Sequence, residues 1–484
     1  MQALFPKFRL MACLVCIFLG MSAAAHAQKI WTLEDCITYA FDNNLDINKQ
    51  LNVVQSNKDA LLQSLLGMLP DLNANGTNIW NFGQTIDLYT NEFATNTVRS
   101  NNFYLSSSVT LYGGLQKLNT YKENKINLMA SQYDLDVIKN NISLAVAGFY
   151  LDILFNTELL GVAREQLDIT KAQVSRMEKM VEAGSSARGD LLNIQAQKAT
   201  EELNVVSAQN NLYISGLSLQ QLIDLPVTRD FQIEKPQLKL VQPPTEKITS
   251  EIVYEKALKT RPEVRSAELR VESAQKRLAI ARGYVQPTLS LSGSWGTGYS
   301  GAQKQKDPNG LADTTYYAIG FTQNTHEVVL SPDISYPTRV QPFTDQLRDN
   351  NNQSVGFYLT IPIYNGWQGR TAISQAKIQK SQAELDLEIK KRDLRKLIEQ
   401  AWADAVAALQ KYNAAKDKVS AQQESFNYAQ QKFDVGVMTS YDYNNTKKEL
   451  TLAESQLLQA KYDFIFKTTI LDFYMGNPIR IERE

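Results

Sequence analysis

The chain has 484 residues, with 50 Lys and Arg against 51 Asp and Glu, so its formal net charge is −1. This balance argues against a nucleic-acid partner, because nucleic-acid-binding surfaces are basic. Three cysteines in the whole chain are too few for a disulfide framework.

The N-terminus reads as a targeting segment. Lys7 and Arg9 precede a long apolar stretch, and the small residues "AHA" end at Ala27, which predicts a signal peptide over 1–27. Two of the three cysteines fall inside it, so only Cys36 would remain in the mature chain, and Cys13 lies too early in the apolar stretch for a lipidated start. No later apolar run approaches the roughly 18 residues of a membrane-spanning helix. The mature protein is therefore expected to be exported, and either soluble or held in a membrane by strands.

The chain contains two diverged copies of one plan. A shift of 217 residues places "AFDNNLDI" on "ALKTRPEV", and a shift of 252 places "LYGGLQ" on "IYNGWQ". The difference is an insertion of 35 residues between Leu289 and Ile363. We predict structural repeats over 28–247 and 248–484, with the proline-rich segment 225–249 as a linker that carries short strands at most.

Each repeat contains a very long helical pattern. In both halves apolar residues recur at seven-residue steps: Val146, Ile153, Leu160, Leu167, Val174 and Val181 in the first, and Ile398, Ala405, Tyr412, Val419, Phe426 and Phe433 in the second. Such a repeat is typical of helices that supercoil against neighbours. We predict long antiparallel helical hairpins over about 114–225 and about 366–476, each turning at a short polar tip.

Period-two alternation precedes each helical hairpin. It is clear in "FYLSSSVTLY", "SVGFYLTIPIY" and "PTLSLSGSW", and weak in "PDLNANGTNIW". These lengths suit tilted membrane strands in β-hairpins over about 70–112 and about 287–364, the second with a long outer loop over 297–354. The strands alone fit two half-buried hairpins of a soluble domain equally well. Export, the long helices and aromatic residues near the strand ends favour the membrane. Since four strands cannot close a barrel and open edges are costly in lipid, several chains would share one barrel.

With these features the sequence resembles the TolC-like outer-membrane efflux proteins (outer-membrane factors). The resemblance is carried by "WTLEDCITYAFDNNLDI", by "TIPIYNGWQ" and by the Gly-x5-Asp signal of both tips, in this order and duplicated. It implies an α+β membrane protein: a homotrimer, each protomer giving four strands to a 12-stranded β-barrel, continued into the periplasm by a helical α-barrel.

The same resemblance implies a function and its partners. The protein would be a passive exit duct of a tripartite efflux or type I secretion system in the outer membrane of a Gram-negative bacterium. It would work with a periplasmic adaptor protein and an inner-membrane pump, without enzymatic activity or a cofactor. The cargo stays open.

The resemblance also assigns roles to the tips. It implies tight turns that dock the adaptor at Gly184, Ser185, Gly436 and Val437. It implies a periplasmic gate at Asp190 and Asp442, where the family's second aspartate is replaced by Asn193 and Asn445. The family's closing Tyr and Arg are replaced by Phe433 and Met438. We hypothesise that Arg188 pairs with Asp190 or Asp442 of a neighbouring hairpin; a solvated arginine is the alternative.

Two other patterns carry little weight. "GTGYSG" at 296–301 satisfies G-x-G-x-x-G, but no helix start follows it, which argues against a dinucleotide site. His326 is the single histidine after the signal peptide, so a zinc site lacks ligands. The rival functional interpretation is an exported coiled-coil scaffold without a pore, which explains the heptads but not the paired alternating segments.

Overall fold

The computed structural model describes residues 30–94, 97–228, 231–236 and 249–479. The signal peptide predicted over 1–27 lies outside these residues. Contacts divide the chain into two compact units, and each unit draws on both halves of the sequence. Unit 1 comprises the described parts of Met1–Ser56, Met129–Arg270 and Glu384–Glu484, and unit 2 those of Asn57–Leu128 and Val271–Ala383.

The described residues form nine α-helices. They are α1 (Leu33–Asn43), α2 (Leu45–Leu66), α3 (Gln116–Glu182), α4 (Arg188–Leu222), α5 (Ser250–Thr260), α6 (Pro262–Gly283), α7 (Phe343–Asp349), α8 (Gln368–Asp434) and α9 (Ser440–Tyr474). With the short α7 set aside, the lengths of 11, 22, 67 and 35 residues occur in the same order in both halves. The starts of α1 and α2 reappear 217 residues later, and those of α3 and α4 appear 252 residues later.

The same residues form twelve β-strands. They are β1 (Ile30–Trp31), β2 (Asn73–Asn81), β3 (Thr85–Ile86), β4 (Phe93–Ala94), β5 (Val98–Gly113), β6 (Gln232–Ile233), β7 (Thr288–Ser300), β8 (Lys304–Lys306), β9 (Asp313–Phe321), β10 (Val328–Ser335), β11 (Thr338–Val340) and β12 (Asn352–Thr360). In the predicted linker, β6 pairs in parallel with β1; residues 229–230 and 237–248 of that segment lie outside the described residues.

Unit 1 is held together by two apolar clusters that involve equivalent helices of the two halves. The first joins α1, α2, α3, α4 and α9 around Cys36, Ile47, Tyr150, Leu219 and Ile465. The second joins α5, α6, α8 and α9 around buried side chains that include Val253, Ile398 and Leu471. Each buried Val, Leu or Ile contributes about 1.5–3 kcal/mol, so the helices depend on this packing rather than on intrinsic propensity.

The seven-residue rows lie where the sequence predicts them. Val146, Ile153, Leu160 and Leu167 of α3 are buried, as are Ile398 and Ala405 of α8. The remaining members of both rows are half-buried. Both rows are therefore buried or half-buried, as the heptad pattern predicts.

One expectation about the helices needs correction. By length and composition, α3 passes as a helix that could cross a membrane, although the sequence suggested no such segment. The most apolar part of α3 packs around Ala147, Leu151 and Leu154 in the first cluster. A core helix passes the same test, so this feature is weak evidence for a membrane span.

Unit 2 contains an antiparallel sheet in the order β12–β7–β5–β2. Side chains alternate between its two faces. One face, called here the polar face, displays Asn73, Asn75, Thr77, Asn102, Tyr104, Ser106, Ser108, Thr110, Ser290, Ser292, Ser294, Gly296, Gly298, Ser354, Gly356 and Tyr358. The opposite, apolar face displays Leu105, Val109, Leu289, Leu291, Trp295, Val355, Phe357 and Leu359. No charged residue of these four strands projects onto the polar face.

Three strand boundaries differ from the sequence prediction. β5 begins at Val98 and β7 continues to Ser300, both past the clear alternation, because each extension pairs with the other. β12 ends at Thr360, so Ile361 and Ile363 fall outside the sheet; Pro362 between them cannot donate a ladder hydrogen bond.

The predicted outer loop is mostly ordered structure. It contains the hairpin pairs β9–β10 and β8–β11 and the helix α7. The first five residues of "GTGYSG", 296–300, form the end of β7. The weak candidate for a nucleotide site is thus a strand.

Candidate functional site at the two helical tips

The first tip is a glycine-terminated helix end. The Gly184 N–H donates to the Val181 carbonyl (3.0 Å), and the Ser185 N–H donates to the Met180 carbonyl (2.8 Å). This is the hydrogen-bond pattern of a Schellman motif, which needs a left-handed residue at its turn. Gly184 supplies it with φ of +72°.

The second tip repeats the first. Gly436 has φ of +77°, its N–H donates to the Phe433 carbonyl (3.1 Å), and the Val437 N–H donates to the Lys432 carbonyl (2.9 Å). A Cβ at either glycine would meet no atom within 4 Å. The glycines are therefore required by backbone conformation and not by crowding.

The helices that leave the two tips begin differently. Ahead of α9, the Thr439 hydroxyl accepts from the Asp442 N–H (3.1 Å) and donates to the Asp442 carboxylate (2.7 Å). Ahead of α4, Ala187 offers no side-chain cap. Asp442 thus interacts with its own helix start, where a carboxylate is favoured by the helix dipole.

Direct side-chain contacts join the two tips. The Ser440 hydroxyl donates to the Asp190 carboxylate (2.7 Å). Arg176 on α3 pairs with Asp434 at the end of α8 (2.7 Å). A bond from a hydroxyl to a carboxylate is charge-assisted and stronger than a neutral one. Asp190 therefore ties the first tip to the start of α9.

An aromatic contact supports the same junction. Tyr443 is 4% exposed, its ring stacks on Phe433 with centroids 4.6 Å apart, and its hydroxyl accepts from the Gln173 side chain (2.8 Å). Burial, and next the charge of Asp434, raise the pKa of the Tyr443 phenol. Phe433 is thus a packing residue between the tips in this chain.

The tip residues also border a cleft of about 920 Å³, lined among others by Met438, Ile194 and Met180. Its wall combines the aromatic pair, methionines and the polar groups Asp190 and Ser440. The cleft lies where the two tips meet within unit 1.

The remaining predicted residues lie on the outer surface of the tips. Arg188, Asn193, Asn445, Ser185 and Val437 are exposed. Arg188 has no hydrogen-bond or ion-pair partner among the described residues of the protomer. Of the predicted set, the cleft brings together Ser185, Asp190, Phe433, Gly436 and Met438. Arg188 and the two asparagines do not line it.

The sequence reasoning missed the groups that join the tips, namely Ser440, Tyr443, Arg176 and Asp434. A signal was available at two of them. Under the shift of 252, Ser440 corresponds to Arg188 and Tyr443 to Leu191. At these two positions the halves differ in chemistry, so the contacts of Ser440 and Tyr443 have no equivalent in the first tip.

A buried lysine lies further along the same helices. Lys447 on α9 is 3% exposed and donates to the Thr170 hydroxyl (2.8 Å) and to the Gln166 carbonyl at 3.4 Å. Burial lowers the pKa of Lys447 to about 8, and the charge of Glu201 opposes that shift. Buried ammonium groups are costly without a close counter-charge.

The chain as a whole is similar to known proteins. A family model described as "Outer membrane efflux protein" matches residues 48–224 and 253–477. The chain is similar to the outer membrane efflux protein BepC of Brucella suis, with 28% identity over 163 residues, 32% of this chain and 36% of BepC. It is 24% identical to outer membrane protein TolC of Escherichia coli over 315 residues, 63% of this chain and 55% of TolC. The matches thus span less than two thirds of either relative.

The fold has solved counterparts. The crystal structure of CusC, described as forming a transmembrane channel, aligns with a TM-score of 0.73 at 17% identity. The alignment covers 94% of this chain and 96% of that one. The likeness at this identity concerns the arrangement of helices and strands.

Proposed function

Because the chain belongs to the outer membrane efflux protein family and is accordingly an outer-membrane protein, we propose that it forms the exit duct of a tripartite efflux or type I secretion system. The duct would be a passive channel, supplied by an inner-membrane pump through a periplasmic adaptor. The observation that carries this proposal is the sheet β12–β7–β5–β2, which has one apolar and one uncharged polar face.

The sheet supports a barrel that several chains share. Apolar-out and polar-in alternation is the pattern of an outer-membrane barrel wall. Within the described chain, β2 and β12 are edge strands, and an edge exposed to lipid leaves backbone groups without hydrogen-bond partners. Three protomers with four strands each would give the 12-stranded barrel of the homotrimer.

The helices offer a second surface for a neighbouring protomer. Leu192, Leu203, Val206 and Tyr213 of α4 are exposed, Leu203 by 67%. Successive members are 11, 3 and 7 residues apart. These spacings are combinations of three and four residues, as in a coiled-coil seam. A seam of this kind calls for a partner helix, which the trimer would supply from the next protomer.

The tips fit the periplasmic gate. Around the threefold axis, three copies each of Asp190 and Asp442 would concentrate negative potential at the narrow end. Asn193 and Asn445 stand where further carboxylates would double that charge. In place of the family's closing Tyr and Arg, the contacts of Ser440, Phe433 and Arg176 described above would hold the tips together.

Arg188 fits a contact between protomers. It is exposed and has no partner in the part of its own protomer that the structure describes, while Asp442 of a neighbouring hairpin would present an exposed carboxylate. An Arg188 pair with Asp190 or Asp442 across the interface would add to the closed state. An exposed pair of this type contributes about 0.2–1 kcal/mol.

The outermost turns fit the adaptor. Val437 is 78% exposed, and Val435 and Tyr441 beside it are exposed as well. Gly184, Ser185 and Gly436 present the backbone of the two turns. Apolar side chains at an exposed tip are typical of a contact surface for another protein.

Fractionation followed by channel recording would test the function. The full chain, expressed with its N-terminal segment, should appear in outer membranes as a trimer that dissociates on boiling. Purified trimers should form channels in planar bilayers. A soluble monomer in the periplasm that forms no channels would contradict the duct and support the exported coiled-coil scaffold.

A further inference from the structure

The outer end of the polar face is covered by a short loop of the first half. Residues 82–92 connect β2 to β4, and two of them contact this face: Asp87 at Ser300 of β7, and Tyr89 at Asn102 of β5 and Gly298 of β7. In the longer segment between β7 and β12, α7 instead covers the end of β7, residues 297–300, which extends beyond its pairing with β12. There the Gln346 amide bonds the backbone N–H (2.8 Å) and carbonyl (3.0 Å) of Ser300.

Tyr89 is a side chain of this loop that lies over the polar face. Its hydroxyl lies 3.4 Å from the Asn102 side-chain oxygen and directly above Gly298, which pairs with Asn102 across the strands. A Cβ on Gly298 would overlap both the Tyr89 hydroxyl and the backbone carbonyl oxygen of Asn101. The absence of a side chain at Gly298 thus makes room for the tyrosine.

Asp87 fixes the loop to the sheet. It is 3% exposed, and the Ser300 hydroxyl donates to its carboxylate. The same carboxylate accepts from the N–H groups of Tyr89 (3.0 Å) and Thr90 (3.0 Å). Burial acts to raise the pKa of Asp87, but the hydrogen bonds from Ser300, Thr90 and Tyr89 outweigh it and lower the pKa. The buried carboxylate is therefore ionised at neutral pH and holds both the strand and the loop.

We propose that Tyr89, held by Asp87 on Ser300, forms a constriction at the outer mouth of the duct that limits solutes by size. The inference rests on the proposed function, in which the polar face lines the lumen. Three copies of the loop would project inward from the barrel wall. Because the tyrosine side chain is uncharged at neutral pH, the ring itself discriminates by bulk.

Polymer exclusion in planar bilayers would test this constriction. Neutral polyethylene glycols of graded size, added on the outer side, lower the conductance only if they enter the outer mouth. Tyr89→Ala should admit larger polymers than wild type. Tyr89→Phe keeps the ring and should leave the size limit unchanged, as should Tyr317→Ala on the exposed hairpin β9–β10.

The outcomes separate the two proposals. An unchanged size limit in Tyr89→Ala channels that form normal trimers would overturn the constriction while leaving the duct intact. Ser300→Ala provides a second route, because freeing Asp87 should shift the limit in the same direction without altering the tyrosine. A wild-type protein that forms no channel would overturn the duct and the constriction together.

Discussion

Replacing Ser440 by alanine should open the periplasmic tips. The change removes the hydroxyl that donates to Asp190 (2.7 Å) and leaves the backbone and the Thr439 cap of α9 in place. Hydrogen bonds to charged groups contribute about 1.5–3 kcal/mol, and because Asp190 is half-exposed we take about 1 kcal/mol per protomer. If three tips open together, the loss is about 3 kcal/mol, or about a hundredfold in the ratio of open to closed channels.

Single-channel recording of purified trimers measures this ratio directly. Ser440→Ala should spend a much larger fraction of time in high-conductance states than wild type. Ser455→Ala is a matched control, because the Ser455 hydroxyl bonds only to the Thr451 carbonyl of its own helix (2.9 Å). Asp190→Asn, which keeps the shape but removes the charge, should fall between wild type and Ser440→Ala. Equal open fractions for Ser440→Ala and Ser455→Ala would refute the role given to this contact.

Three further predictions concern the helices and tips. Burial lowers the pKa of Lys447 from 10.5 to about 8, so between these pH values the unfolded chain binds more protons than the folded one and the stability of the fold should rise with pH. In Lys447→Met the melting temperature should be higher at pH 7 and should lack that rise. A parallel rise in both proteins would contradict the assignment. Gly436→Ala places a Cβ at φ of +77° and should cost about 1–2 kcal/mol in denaturant unfolding, with Gly436→Asn costing less; equal stability of all three would show that the turn relaxes. Arg188→Ala should raise the ratio of open to closed channels by about threefold to about a hundredfold, because three exposed pairs of about 0.2–1 kcal/mol each are lost together. Unchanged conductance and gating would contradict a pair across protomers.

The helical part of this fold could be predicted because buried helix faces require apolar residues at regular spacing in the sequence. The seven-residue rows, the Gly-x5-Asp tips and the two shifts locate α3, α4, α8 and α9 closely. The strands were located less well, since pairing rather than pattern sets their ends. β5 and β7 extend each other beyond their alternating parts, whereas β12 stops before Pro362.

The candidate site was predicted only in its local features. Gly184 and Gly436 are set by backbone conformation, which a glycine in a polar tip reveals. The bond from Ser440 to Asp190 joins residues 250 positions apart. It depends on how the two tips meet, so no local sequence pattern predicts it. The outer loop shows the same limit, because Tyr89 becomes notable only when Gly298 lies beneath it.

The equal lengths of the paired helices restrict how this protein can change during evolution. One residue inserted into α8 alone would move the start of α9 by about 1.5 Å along the helix axis and turn it by about 100°, which would separate Ser440 from Asp190. A longer or shorter duct therefore requires matched insertions in both halves of the gene. The segment between β7 and β12 is under no such requirement, because no paired helix has to match its length. The 35-residue insertion of the second half lies there, between Leu289 and Ile363.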